Sequence, residues 1–255
     1  MPINLRNVSF SYRKDSPLVI DDVSLNIKEG TVNILLGLNG SGKTTLIKLL
    51  SGMLKANKGI IEYDGKEIND ISIHERSKIF AYVSQKGISA NDFKVKDYLT
   101  YGFASSLKFY QSPTKEQLDK AESLGERFKI THLLEKDISQ ISGGERQIVS
   151  IIAALIQDTP IIILDEPTSA LDLANQSLVL NVLKGIAGEG KTIILSSHNP
   201  NHALYLDADV FLLKNGKLMK EGPSSSIINK ETLSDIYGNN VCYSKDLEYE
   251  EISFK

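Results

Sequence analysis

Residues Gly37-Leu38-Asn39-Gly40-Ser41-Gly42-Lys43-Thr44 constrain the fold more than any other stretch, because they satisfy G-x-x-x-x-G-K-[ST] at every fixed position. A short apolar run, Thr31 to Leu36, leads into them, and a helical run, Lys43 to Leu50, leaves them and stops at Ser51-Gly52. The order is strand, glycine loop, helix. Glycines in such a loop let backbone N–H groups turn inward around phosphate oxygens, and the start of the helix adds the positive end of its dipole. In this pattern Lys43 reaches the β- and γ-phosphates of a nucleotide, and the Thr44 hydroxyl is a ligand for Mg²⁺.

A second acidic feature suits the first. Ile161-Ile162-Ile163-Leu164-Asp165-Glu166-Pro167 sets two carboxylates at the C-terminal end of a continuous apolar strand, where open parallel sheets bind ligands. Asp165 suits the Mg²⁺ shell, and Glu166 suits a general base or an orienting group for an attacking water. The plain alternative is a surface turn with two solvated acids. Ile141-Ser142-Gly143-Gly144-Glu145 opens a helix whose apolar face is Ile148, Ile151, Ile152, Leu155 and Ile156. Ser142 is its candidate N-cap, and Gly143 and Gly144 expose backbone N–H groups, so the segment reads either as a second anion site or as an ordinary cap.

The rest of the chain reads as α/β. Strands are expected over Leu5 to Phe10, Val19 to Ile27, Gly59 to Tyr63, Lys78 to Ser84, Thr192 to Ser196, Val210 to Lys214 and Lys217 to Lys220. The stretch from about 87 to 157 reads as helical, with Thr114 and Gln117 as a capping box, and a further helix covers about 174 to 187. At 255 residues the chain fits one domain. A net charge of −3 offers no basic footprint for nucleic acid, which is therefore not an expected partner. The single Cys242 cannot form an internal disulfide, and the start MPINLRNVSFSY lacks the pattern of a secretory signal, so a cytoplasmic location is expected. The longest nearly apolar stretch, Ile148 to Ile156, is about half of the roughly 20 residues needed to span a bilayer. Any work at a membrane would need a spanning partner.

Taken in order and spacing, the phosphate loop, the ISGGE run about 20 residues before the LDEP run, Ser169-Ala170-Leu171-Asp172, and His198 after a further strand resemble the ATP-binding-cassette (ABC) ATPase family. The likeness covers residues 3 to 222. It implies a P-loop NTPase fold of the ABC-ATPase type: a RecA-like core with an antiparallel β subdomain (1–86 and 158–222), a helical insertion (about 87–157) and a C-terminal extension (about 223–255). It also implies ATP and Mg²⁺ as cofactors. Residue by residue, the resemblance assigns Tyr12 to stacking on adenine and Gly37, Asn39, Gly40, Ser41, Gly42, Lys43, Thr44 and Thr45 to nucleotide binding. Ser142, Gly143 and Gly144 would bind the γ-phosphate of ATP held by a second copy, giving a head-to-tail homodimer around two nucleotides. Gln85 joins Thr44 and Asp165 near Mg²⁺ and the attacking water, His198 contacts the γ-phosphate, and Asp172 couples the two copies. The usual signature is LSGGQ, so Ile141 and Glu145 depart from it, and Glu145 brings a negative charge close to a nucleotide.

Within that family, Ser197-His198-Asn199-Pro200-Asn201-His202-Ala203, Ala208-Asp209-Val210 and the LSDIYG run from Leu233 to Gly238 look like the ATPases of bacterial importers for iron chelates, haem and cobalamin. The expected setting is the inner face of the cell membrane, with a polytopic permease docking between Gln85 and about Phe109 and an extracytoplasmic substrate-binding protein in the same system. Lys94 to Gly102 lacks the arginine-containing run usual there. A soluble ABC ATPase of iron–sulfur cluster assembly is the alternative of similar size.

Overall fold

Alternation of buried and exposed residues makes the first two strands a matched pair. In the computed structural model, which describes residues 3–85, 93–103, 112–238, 241–245 and 250–254, β1 (Ile3–Phe10) runs antiparallel to β2 (Ile20–Ile27), with Ile3 opposite Ile27 and Leu5 opposite Leu25. Val23, Leu25 and Ile27 are buried while Ser24 and Asn26 are exposed, the period-two pattern of a sheet with one wet face. Along the chain there follow β3 (Val32–Leu36), α1 (Lys43–Leu50), β4 (Lys58–Tyr63), β5 (Lys66–Glu67), α2 (Ile73–Ile79), β6 (Phe80–Val83), α3 (Val95–Thr100), α4 (Lys115–Arg127), α5 (Gly143–Ile156), β7 (Ile161–Leu164) and α6 (Leu173–Gly188). The last third contains β8 (Thr192–Ser197), α7 (Pro200–Tyr205), β9 (Asp209–Lys214), β10 (Lys217–Pro223), α8 (Ser224–Ile227), α9 (Lys230–Tyr237) and the hairpin β11 (Val241–Lys245) with β12 (Glu250–Phe254).

The chain forms two compact units, Met1–Ile71 with Lys184–Lys255, and Ser72–Leu183. In the first, an antiparallel sheet has the order β2-β1-β4-β5. Beside it β3 pairs in parallel with both β8 and β9, and β10 adds antiparallel to β9 around the Asn215-Gly216 turn. Both turn residues have positive φ, 50° and 78°, as a two-residue hairpin requires. All five residues of β3 and all six of β8 are buried, which is why these strands are mostly apolar without an alternating pattern, their polar members Asn33, Thr192, Ser196 and Ser197 being buried as well. Each fully buried Ile or Leu there contributes about 1.5–3 kcal/mol of transfer free energy.

In the second unit β6 pairs in parallel with β7, Phe80 opposite Ile161 through Val83 opposite Leu164. The expected strand from Lys78 begins later. Ser72 and Glu75 form a capping box, with Glu75 N–H donating to Ser72 Oγ at 3.2 Å and Ser72 N–H to Glu75 Oε2 at 3.1 Å. This starts α2, whose last residues are Lys78 and Ile79, so the strand opens at Phe80. Thr114 and Gln117 form the expected box at the head of α4, and the five apolar residues expected on one face of α5 are all buried. Among the described residues no helix is long and apolar enough to cross a membrane.

Candidate functional site

In the first unit, register brings two loops to the same edge. Leu36, the last residue of β3, lies opposite Ser197, the last of β8. Gly37 and His198 therefore leave neighbouring strand ends, at the C-terminal edge where parallel sheets bind ligands. A Cβ on Gly37 would come within 2.3 Å of the Leu213 carbonyl oxygen of β9, so only glycine lets the loop leave β3 along this path. Gly40 and Gly42 have φ of 81° and 104°, and Gly42 begins α1 without a side-chain cap, leaving the first turn of the helix facing the loop. The loop is braced from β9–β10: Gly216 N–H donates to the Ser41 carbonyl at 3.0 Å, and Gly216 C=O accepts from Asp21 N–H at 2.9 Å.

The side chains of the loop are drawn inward. Lys43 is buried, its ammonium donating to the Gly37 and Leu38 carbonyls at 2.9 and 3.2 Å. Ser41 Oγ is buried and meets no hydrogen-bond partner among the described residues. Thr44 is half-buried, Thr45 is buried, and Asn39 stands exposed at the tip. Tyr12 lies beside this loop. Its hydroxyl is 3.1 Å from Thr45 Oγ1 and its ring meets Phe10 edge-on at 5.0 Å, while the residue stays 57% exposed. A cavity of about 620 Å³ opens there, lined by Tyr12, Arg13, Val19, Gly40, Asn215 and Gly216.

The second unit carries the acids. Asp165, at the end of β7, donates its N–H to the Val83 carbonyl at 2.9 Å and is 2% exposed; Glu166 is 6% exposed. A surface turn of solvated acids is therefore not what the LDEP run forms. Glu166 has φ of 49°, an uncommon conformation for a non-glycine residue, and its carbonyl accepts from Ser169 N–H and Oγ at 3.2 and 3.0 Å. Gln85 is exposed just past β6, and residues 86–92 after it lie outside the described residues.

The ISGGE run and Ser169–Asp172 lie together. A Cβ on Gly144 would be 3.2 Å from the Ala170 carbonyl, whereas Gly143 has open space around it. Asp172 caps α6, accepting from Asn175 N–H at 2.8 Å and from Asn175 Nδ2 at 3.0 Å. Ser142 caps α5, as expected, and Glu145 completes a box the sequence reading did not extract: Ser142 N–H donates to Glu145 Oε2 at 2.7 Å, and Glu145 N–H to Ser142 Oγ at 3.2 Å. The signal was the local S-x-x-E spacing. The backbone hydrogen bond from Ser142 is the main cause that holds the Glu145 carboxyl below its usual range, against the opposing effect of burial. The departure from LSGGQ thus has a structural use, a charged acceptor on the first turn of a helix.

A glycine loop between a parallel strand and a helix, with an acidic strand end in the same chain, defines a P-loop NTPase. The ABC transporter family model matches residues 20–169. A Helicobacter pylori protein described as an iron chelatin transport ATP-binding protein is 33% identical over 93% of each chain. A metal-chelate type ABC transporter solved in an inward-facing conformation is 26% identical, covers 99% of this chain and 96% of its own, and has a TM-score of 0.81. The dimeric bacterial ABC transporter cassette MJ0796 is 26% identical over 87% of this chain and 98% of its own, with a TM-score of 0.79. The chain belongs to the ABC transporter family and is an ATP-binding ATPase with the P-loop ABC cassette fold.

Proposed function

We propose that the chain is the ATPase subunit of an importer for metal chelates of the iron-chelate, haem or cobalamin class. The observation that carries this reading is mutual coverage: this chain and the iron chelatin relative each span 93% of the other, and the metal-chelate transporter matches at 99% and 96%. In the proposed assembly two copies close head to tail around two ATP and sit on the inner face of the membrane against a polytopic permease fed by an extracytoplasmic binding protein; that the cassette named above is dimeric supports the pairing. The docking surface is the stretch from Gln85 to about Phe109, of which residues 86–92 and 104–109 lie outside the described residues. Within it Phe93, Tyr98 and Tyr101 form an edge-to-face aromatic cluster, with Phe93 and Tyr101 exposed. Exposed aromatics of this kind favour a protein partner.

The site reading assigns adenine to the exposed face of Tyr12 and the cavity beside it, and the phosphates to the N–H groups of residues 37 to 45. Ser41 Oγ, buried and unpartnered, gains a phosphate oxygen, and Lys43 turns from the loop carbonyls to the β- and γ-phosphates. Thr44, Gln85 and Asp165 are hard oxygen donors, the chemistry Mg²⁺ prefers, and would hold it beside the phosphates. Bound Mg²⁺ would neutralise charge developing on the phosphates. Glu166 orients and deprotonates the water from a buried position, His198 contacts the γ-phosphate, and Ser142 to Gly144 reach the γ-phosphate on the other copy, with Asp172 coupling the two.

Uptake tests the assignment. Cells relying on a Glu166→Gln copy should lose accumulation of radiolabelled ferric chelate by at least tenfold while iron–sulfur enzymes fed with free iron keep working. Wild-type uptake of ferric chelate, haem and cobalamin alike in those cells, or loss of iron–sulfur enzymes alone, would remove the importer reading in favour of cluster assembly.

A further inference from the structure

The loop that follows β8 is held by side chains on both flanks of His198. Ser197 Oγ lies 3.0 Å from Nδ1 of the buried His202 and accepts from Asn199 N–H at 3.0 Å. The Asn199 side chain accepts from Asn201 N–H at 3.0 Å and caps α7. The His198 carbonyl itself accepts a hydrogen bond from the Tyr237 hydroxyl at 2.9 Å, although 39 residues separate the two in sequence. Tyr237 is the last residue of α9, and α9 is anchored to the β9–β10 hairpin: Lys214 Nζ donates to the Asp235 carbonyl at 2.6 Å and Lys220 Nζ to Thr232 Oγ1 at 2.9 Å. Leu233 and Ile236 bury the inner face of the same helix.

We infer that Tyr237 is a positioning residue for ATP hydrolysis, holding the His198 peptide so that the imidazole meets the γ-phosphate. The inference rests on the γ-phosphate reading of His198. The direction of the His198 imidazole depends on the peptide from which it projects as well as on its own side-chain torsions. A hydrogen bond to the carbonyl fixes that peptide plane. Groups that act on a reacting phosphoryl must be held to within about 0.5 Å, and a shared anchor on α9 ties that placement to the hairpin that also braces the phosphate loop through Gly216. The ring of Tyr237 is half-buried and would fill the same space as phenylalanine, which leaves the hydroxyl as the group that phenylalanine would remove.

The test is a double-variant cycle on the full chain: wild type, Tyr237→Phe, His198→Ala and the double variant, each assayed for kcat, KM for ATP and thermal midpoint. Tyr237→Phe should lower kcat by roughly two- to tenfold, the effect of one lost hydrogen bond. KM and the midpoint should stay near wild type, and the substitution should change nothing further in the His198→Ala background. Equal fold losses in both backgrounds, or an unchanged kcat for Tyr237→Phe, overturn the inference and leave the His198 reading standing. A His198→Ala protein with wild-type kcat overturns both. Where turnover of the double variant is too slow to measure, ¹³C-histidine spectra decide, because the chain has only four histidines. Tyr237→Phe should move the His198 signal and leave those of His74 and His132 in place; an unmoved His198 signal overturns the inference.

Discussion

Glu145 shows how one departure from a motif is settled by its immediate neighbours. Its carboxylate accepts the Ser142 N–H at the first turn of α5, where an anion is favoured by the helix dipole. Glu145→Ala should cost about 0.3–1 kcal/mol of stability near neutral pH. The carboxyl is held below its unfolded value of about 4.5, so the charged form stabilises the fold at any pH above that value. This contribution is lost as pH falls through the lower, folded value. Urea unfolding of wild type and Glu145→Ala between pH 7 and pH 3 should show the two curves converging in acid. A gap that stays constant would mean that the box does not hold the charge. His132 lies 4.0 Å from Glu145 and adds a weaker attraction when protonated.

At the scale of elements, the phosphate loop depends on a hairpin that is remote in sequence. The turn residue Gly216 donates to the Ser41 carbonyl, has φ of 78°, and would place a Cβ 2.5 Å from the Val19 carbonyl oxygen. Gly216→Ala should therefore destabilise the protein by about 2–4 kcal/mol, from left-handed strain together with overpacking. It should also weaken ATP binding, because the shifted turn carries the loop with it. Calorimetry and titration with a fluorescent ATP analogue would show both; a variant that binds ATP normally would mean the loop does not need the brace. The same hairpin receives α9 through Lys214 and Lys220, so one element supports both the loop at Gly37–Thr44 and the helix that reaches His198.

For the whole molecule the proposed function predicts assembly driven by nucleotide. In the proposed arrangement each chain would offer phosphate-binding elements at Gly37–Thr44 and at Ser142–Gly144, and a two-fold pair would satisfy both kinds twice with the same surfaces. The γ-phosphate would supply the negative charge that both helix N-termini favour, so its loss on hydrolysis should loosen the pair. Glu166→Gln keeps the size of the side chain and removes the proposed base, which should slow turnover while retaining ATP. Light scattering should then give a dimer with ATP, a monomer with ADP, and a monomer with ATP once Ser142→Arg obstructs the second site. A Glu166→Gln protein that stays monomeric with saturating ATP at high concentration would dismiss the shared-nucleotide arrangement.

What the sequence determined by itself is what short-range physics encodes. The phosphate loop, the Thr114 box, the Ser142 cap, the apolar face of α5 and the buried runs of β3, β7 and β8 are all patterns of consecutive or near-consecutive residues, so each was legible before any coordinate. The Ser72–Glu75 and Ser142–Glu145 boxes were equally local and were passed over beside an apolar run and a known motif. Tertiary structure alone decided that Asp165 and Glu166 are buried rather than solvated, that Leu213 lies against Gly37, that Gly216 braces Ser41, and that Tyr237 holds His198. Those contacts join residues brought together by strand pairing and helix docking, and a single long-range hydrogen bond repeats with no period along the chain, so it leaves no mark in the sequence to read.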